Sequence, residues 1–236
     1  MQTTKTSNDQ VALNDERIIQ PVSRRKFLGY VGATSALLAT AASCKKNDIA
    51  TDTGVDLGSG DVGILNYAYA LEQLEAAFYI QVIATPFSGI STMEKEFLTD
   101  IRDHEIAHRE FFKAAITAAA PASVIPGLVP NFATIDFNSR ASVLGTAMAF
   151  EDLGVSAYDG AGYLLKSATY LLLAGKIVSV EARHAALIRE LVSPNSFLGD
   201  QVDGSSVNIS RTPLEVLTIA APYIKTKINA SNLPTS

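Results

Sequence analysis

Apolar positions recur at intervals of three and four residues along four long stretches of the chain, and polar or proline-bearing breaks separate them. The first stretch runs from about Val62 to Ala84 without a proline, and Asp61 is placed to cap it. The second runs from about Thr92 to Ala120, opened by a Ser91/Glu94 capping box and stopped by Pro121. The third, about Arg140 to Lys166 behind Ser139, carries Gly145, Gly154, Gly160 and Gly162, where helices can pack closely. The fourth runs from about Thr169 to Val192 and ends at Ser193-Pro194. The connections at 85–91 and 167–168 are short, whereas 121–138 is long and holds Pro121, Pro126, Gly127 and Pro130. Short, long, short is the connectivity of an all-α four-helix bundle with one crossover between helices two and three. A polar loop, 195–211, follows. Thr212-Pro213-Leu214-Glu215 then opens a short amphipathic helix ending near Ile224, expected on the outside of the bundle.

Residues 1–22 are polar and show no such periodicity. Ser23-Arg24-Arg25-Lys26-Phe27-Leu28 comes next, then an apolar run from Phe27 to Ala42. A basic start, an apolar centre too short to span a bilayer comfortably and small residues at its end make an export signal. The paired arginines before Phe-Leu resemble the twin-arginine signal, which leaves a general secretory signal containing Arg-Arg as the alternative. The single cysteine, Cys44, stands where the apolar run stops, behind Ala41-Ala42-Ser43. This resembles a bacterial lipobox, although Ala41 replaces the usual Leu. It implies lipidation of Cys44 and membrane contact through that anchor, with cleavage and release as the alternative. The expected division is therefore a signal at 1–43, a flexible Gly-, Asp- and Thr-rich tether at 44–60, the bundle at 61–194 and a C-terminal loop and helix at 195–236. The expected location is the periplasm or cell envelope, reached by the twin-arginine route, or otherwise the medium.

Composition narrows the chemistry. The chain has 236 residues, 47% of them hydrophobic, with a formal net charge of −5. That is ample for a core and argues against a nucleic-acid partner, which would need a basic patch. Removing residues 1–43 takes away five basic and three acidic groups and leaves −7. One cysteine excludes intrachain disulfides, cysteine-rich zinc sites and a CxxC redox pair. A metal site must therefore come from Glu, Asp and the three histidines.

Two of those histidines follow a glutamate by three residues: Glu105-Ile-Ala-His108 on the second stretch and Glu181-Ala-Arg-His184 on the fourth. Three residues apart is one helix face, so carboxylate and imidazole point the same way. With 11 Glu in 236 residues a given His has about a 5% chance of that neighbour, so two such pairs on alternate helices are hard to assign to accident. The first and third stretches carry Glu72 with Tyr79 and Glu151 with Tyr158, each pair seven residues apart and on a shared face. The chain thus repeats itself as Glu-x6-Tyr followed by Glu-x2-His, twice. Two helical hairpins related by a pseudo-twofold would gather four Glu and two His among apolar neighbours such as Leu71, Phe78, Phe150 and Leu153. Four such carboxylates need compensating cations. Glu75 competes with Glu72 for the same face, and the Tyr spacing favours Glu72. His104 points about 100° away from Glu105, which suits a surface position better than a ligand. Asp103, Glu110, Arg183 and Glu190 read as solvated positions.

This pattern resembles the ferritin-like superfamily of di-iron and di-manganese carboxylate proteins over about residues 62–192. Leu71-Glu72-Gln73-Leu74-Glu75-Ala76-Ala77-Phe78-Tyr79 is similar to exported ferritin-like domain proteins related to desiccation-related proteins. The resemblance implies a ferritin-like antiparallel bundle and two Fe or Mn ions held by Glu72, Glu105, His108, Glu151, Glu181 and His184. It makes Glu105 and Glu181 the bridging carboxylates, and Tyr79 and Tyr158 hydrogen-bond donors beside the ligands. Two departures matter. A rubrerythrin-type chain adds a four-cysteine iron domain, which one Cys cannot build, and a further Glu on helix three where this chain has Gly154.

The expected function is that of an exported dinuclear metal protein meeting dioxygen, peroxide or ferrous iron. If it is an enzyme, it is an oxidoreductase of ferroxidase, peroxidase or catalase type. The alternative is a non-enzymatic stress- or desiccation-protection or binding module at the cell surface, with structural metal or none. The choice between iron and manganese, the electron donor and the oligomeric state, a homo-oligomer included, stay open at the level of sequence.

Overall fold

The computed structural model describes residues 53–236. The expected signal at 1–43, Cys44 and the tether up to residue 52 lie outside the described residues. Helices α1 (Gly60–Ala84), α2 (Thr92–Ala119), α3 (Arg140–Gly162) and α4 (Ala168–Val192) form the bundle, and α5 (Pro213–Ala220) follows. α1 packs along α2 and α3 along α4, and the two hairpins meet through α1 against α3 and α2 against α4. The all-α four-helix bundle with one crossover is the architecture the periodicity predicts. No helix among the described residues is long and apolar enough to cross a membrane.

The helix starts follow local chemistry. Ser91 Oγ accepts from Glu94 N while Glu94 Oε2 accepts from Ser91 N, the reciprocal pair that satisfies two otherwise unpaired backbone donors of α2. Thr212 and Glu215 do the same for α5. Arg140 Nε donates to Glu94 Oε1 at 2.6 Å and ties the start of α3 to that of α2.

Several expectations change. Asp61 does not cap α1, which starts two residues earlier behind Ser59. Its carboxylate accepts instead from Lys166 N and Ser167 N, both at 2.8 Å, and so fastens the α3–α4 turn to the foot of α1. Helix three ends at Gly162, not Lys166, because the chain must turn before Ser167 caps α4. The expected tether is already fixed before residue 60. Val55–Asp56 (β1) pairs in parallel with Ile228–Asn229 (β2), and Leu57 is fully buried. Of the helix-three glycines, Gly154 lies against a side chain of α1, whereas Gly160 serves the C-terminal loop and not another helix. A Cβ on Gly160 would lie 1.7 Å from the carbonyl oxygen of Arg211, so this glycine admits the C-terminal loop, whose Arg211 N donates to Ser156 O.

The crossover is tied down to α1. Asn66, almost wholly buried, donates to the carbonyls of Leu57 and Ser123 and accepts from Ile125 N. Gln73 accepts from Leu128 N at 2.8 Å and donates to Pro126 O. The crossover's Phe132 and Phe137 stack about Phe78 of α1, with ring centres 6.0 Å away, and Phe150 of α3 meets Phe78 at 5.2 Å. Phe78 also meets Tyr79 edge-on, so this aromatic cluster adjoins Tyr79. α5 buries Val216 and Ala220 against α3 from outside.

Candidate metal centre

Each bundle helix brings one glutamate to the middle of the core. Glu72 (α1), Glu105 (α2), Glu151 (α3) and Glu181 (α4) are all fully buried. His184 is also buried and His108 nearly so. The helical periods that place Leu71, Phe78, Phe150 and Leu153 in the core place these polar residues between them, so apolar packing holds the carboxylates away from water.

The six side chains form two overlapping quartets. In one, His108 Nδ1 lies 2.7 Å from Glu181 Oε1, 3.6 Å from Glu72 Oε2 and 3.7 Å from Glu105 Oε2. In the other, His184 Nδ1 lies 2.9 Å from Glu105 Oε1, 3.4 Å from Glu151 Oε2 and 3.4 Å from Glu181 Oε2. Within each quartet one donor atom per residue lies within 4.8 Å of every other. Glu105 and Glu181 belong to both, each sending one oxygen to either side.

These close approaches are not hydrogen bonds. Both Nδ1 atoms, both oxygens of Glu105 and of Glu181, Glu72 Oε2 and Glu151 Oε2 are buried without a hydrogen-bond partner. Eight unpartnered donor atoms facing one another in an apolar core would cost several kcal/mol per buried charge if left so. Cations placed among them remove that cost, and the donor set of carboxylate oxygen and imidazole nitrogen suits iron or manganese. The residues present therefore fit a metal pair.

The remaining carboxylate oxygens are held by the tyrosines. Tyr79 OH donates to Glu151 Oε1 at 2.5 Å, and Tyr158 OH donates to Glu72 Oε1. Each tyrosine thus serves the glutamate of the other hairpin. Burial and the adjacent Glu charges push both phenols well above their ordinary range, so they stay protonated donors.

Electrostatics without metal show the same frustration. Burial pushes Glu72, Glu105 and Glu151 above the usual carboxylate range, Glu151 to about 7. Burial acts on Glu181 likewise, but the two histidines against it hold it down at about 2. Burial works to lower the ring of His184, and the carboxylates of Glu105, Glu151 and Glu181 override it and hold it up at about 12. His108 is raised for the same reason, by Glu105, Glu181 and Glu72. In the metal-free bundle protons on the histidines take the place of cations.

Two residues near the site escape a reading by spacing. His104, set aside as a surface residue, is exposed, yet its Nδ1 lies 2.9 Å from His184 Nε2 and the rings stack with centres 5.1 Å apart. It therefore occupies the outer nitrogen of His184 and leaves Nδ1 facing the carboxylates. Glu75 is buried as well, at 4% exposure. The only sequence signal for it was its position three residues after Glu72; for His104 there was none.

No curated protein matches the chain. The family profile for the ferritin-like domain matches residues 60–194, more than half of the chain and the whole span from α1 to the end of α4. The chain belongs to the ferritin-like domain family.

Proposed function

We propose that this protein binds two iron or manganese ions in the core of its bundle. Glu72 and His108 would serve one ion, Glu151 and His184 the other, and Glu105 and Glu181 would bridge them. One observation carries the reading: eight buried, unpartnered donor atoms in two quartets that share the same two glutamates. A metal pair at this place would supply a redox change for reaction with dioxygen, peroxide or ferrous iron, and Lewis acidity toward the oxygen atoms of the oxidant. The chain's own residues do the rest. Tyr79 and Tyr158 orient Glu151 and Glu72 through hydrogen bonds. His104 orients His184. The aromatic cluster about Phe78 packs beside Tyr79.

Elemental analysis of the purified protein, with its optical spectrum, tests the reading. About two ions of iron or manganese per chain are expected, and a chain that takes up none after incubation with either metal would sink it. Export is part of the same proposal. The Arg24-Arg25 signal would carry the folded, already loaded protein across the membrane, and Cys44 would anchor it outside. Replacing both arginines by lysine should block export. Unchanged export would instead favour the general secretory route.

A further inference from the structure

The space around Gly154 suggests a role for Glu75. Glu75 stands on α1, one turn beyond Glu72, and Gly154 stands on α3, one turn beyond Glu151. A Cβ built on Gly154 would lie 3.0 Å from Glu75 Oε1 and 3.9 Å from its Oε2. The carboxylate of Glu75 therefore fills the room that a side chain at position 154 would take. It is buried, at 4% exposure. The charges that act on it are those of Glu105, Glu181, Glu72 and Glu151, all repulsive, on top of its burial. A buried carboxyl surrounded by four others needs a positive charge close by or a proton of its own. Ordinary packing would have placed an apolar side chain at position 75, as at Leu71 and Phe78 of the same helix.

We propose that Glu75 is a fifth carboxylate of the metal centre, delivered from α1 through the space that Gly154 leaves on α3 and binding the metal pair. This rests on the reading above. Its oxygens stand outside the two quartets. Its carboxylate would add a further oxygen donor and a further negative charge to those of the four glutamates already gathered there.

The test is manganese(II) titration of the whole mature protein, wild type against Glu75→Gln, with the paramagnetic resonance spectrum of each loaded form. Gln keeps the shape and removes the charge. At least an about tenfold loss of affinity, with a changed spectrum, is expected. Gly154→Ala keeps the Glu75 charge and crowds its seat, and it should weaken binding in the same direction. It is read by the same rule if Glu75→Gln proves not to be helical by circular dichroism. Wild type binding two ions while the variant matches it in affinity and spectrum overturns this role and leaves the metal centre intact. Wild type binding no manganese or iron overturns both.

Discussion

The α1–α2 hairpin and the α3–α4 hairpin carry the same four-residue kit of Glu, Tyr, Glu and His in the same order, yet they are not equivalent. The resemblance is closest in the innermost layer. Glu72 answers Glu151, Glu105 answers Glu181, His108 answers His184, and the tyrosines cross over to the opposite glutamate. One layer further out the match ends. Glu75 on the first hairpin faces Gly154 on the second, and the position matching His104 on α4 is the half-buried Val180. So His184 is held by a second histidine, and no matching imidazole stands on α4 for His108. The side chain of His108 is also the more open of the two, 12% exposed against 5%. Under the proposed function the shared layer would answer what a metal pair requires, namely balanced charge and shared bridges. The outer layer is free to differ, so there the two proposed metal positions would acquire distinct affinities.

The largest expected effect comes from removing what the halves share. Glu105→Ala with Glu181→Ala should take metal content from about two ions per chain to none, measured by elemental analysis, while the helical spectrum persists. Metal retained at two ions would break the pairing of the hairpins. Next comes the asymmetry itself. His104→Ala should weaken the ion at His184 by about tenfold, the size typical of losing a partner behind a ligand, and leave the ion at His108 unaffected. Titration with two resolved binding phases would read this, and equal weakening of both phases would remove the distinction drawn between the hairpins.

The tyrosines sharpen the symmetric layer. Tyr79→Phe and Tyr158→Phe each delete one hydrogen bond to a buried carboxylate, worth about 1.5–3 kcal/mol. The two variants should lose metal affinity to the same degree, and a clear inequality would show that the crossing hydrogen bonds are not equivalent. The smallest effect is in pH. Glu151 and His184 both have folded pKa values above their unfolded ones, about 7 and about 12. Their contribution to the metal-free fold is therefore complete at low pH and is lost as pH rises through those values. Chelator-treated protein should melt higher by a few degrees at pH 5 than at pH 7.5, whereas loaded protein should melt lower, since protons compete for the same donors. Parallel shifts in both forms, followed by calorimetry, would contradict this.

Much of the centre could be read before any coordinates because its residues lie three or seven apart on helices. Such spacings fix a shared face without reference to any neighbour. Ser91 with Glu94 was legible for the same reason, since a capping box closes within one turn. His104 was not. Its spacing turns it away from Glu105, and only the packing of α2 against α4 brings it to His184, eighty residues on. Glu75 and Glu72 compete for one face in the sequence because a face can be counted but its depth cannot. Both are buried, and the room for the second exists only because Gly154 comes opposite. Asp61 was read as a cap for the nearest helix start, whereas its partners lie more than a hundred residues away, at the start of α4.

The sequence by itself determined the four helices, their connectivity and the repeated Glu, Tyr and Glu-x-x-His kit, because each follows from interactions within a turn or two of helix. Tertiary structure alone decided which tyrosine serves which glutamate, that two glutamates are shared between the quartets, and that Glu75 and His104 break the symmetry. Those outcomes depend on which helix faces meet across the core, and the rotation and depth of packed helices are set by the whole set of side chains between them.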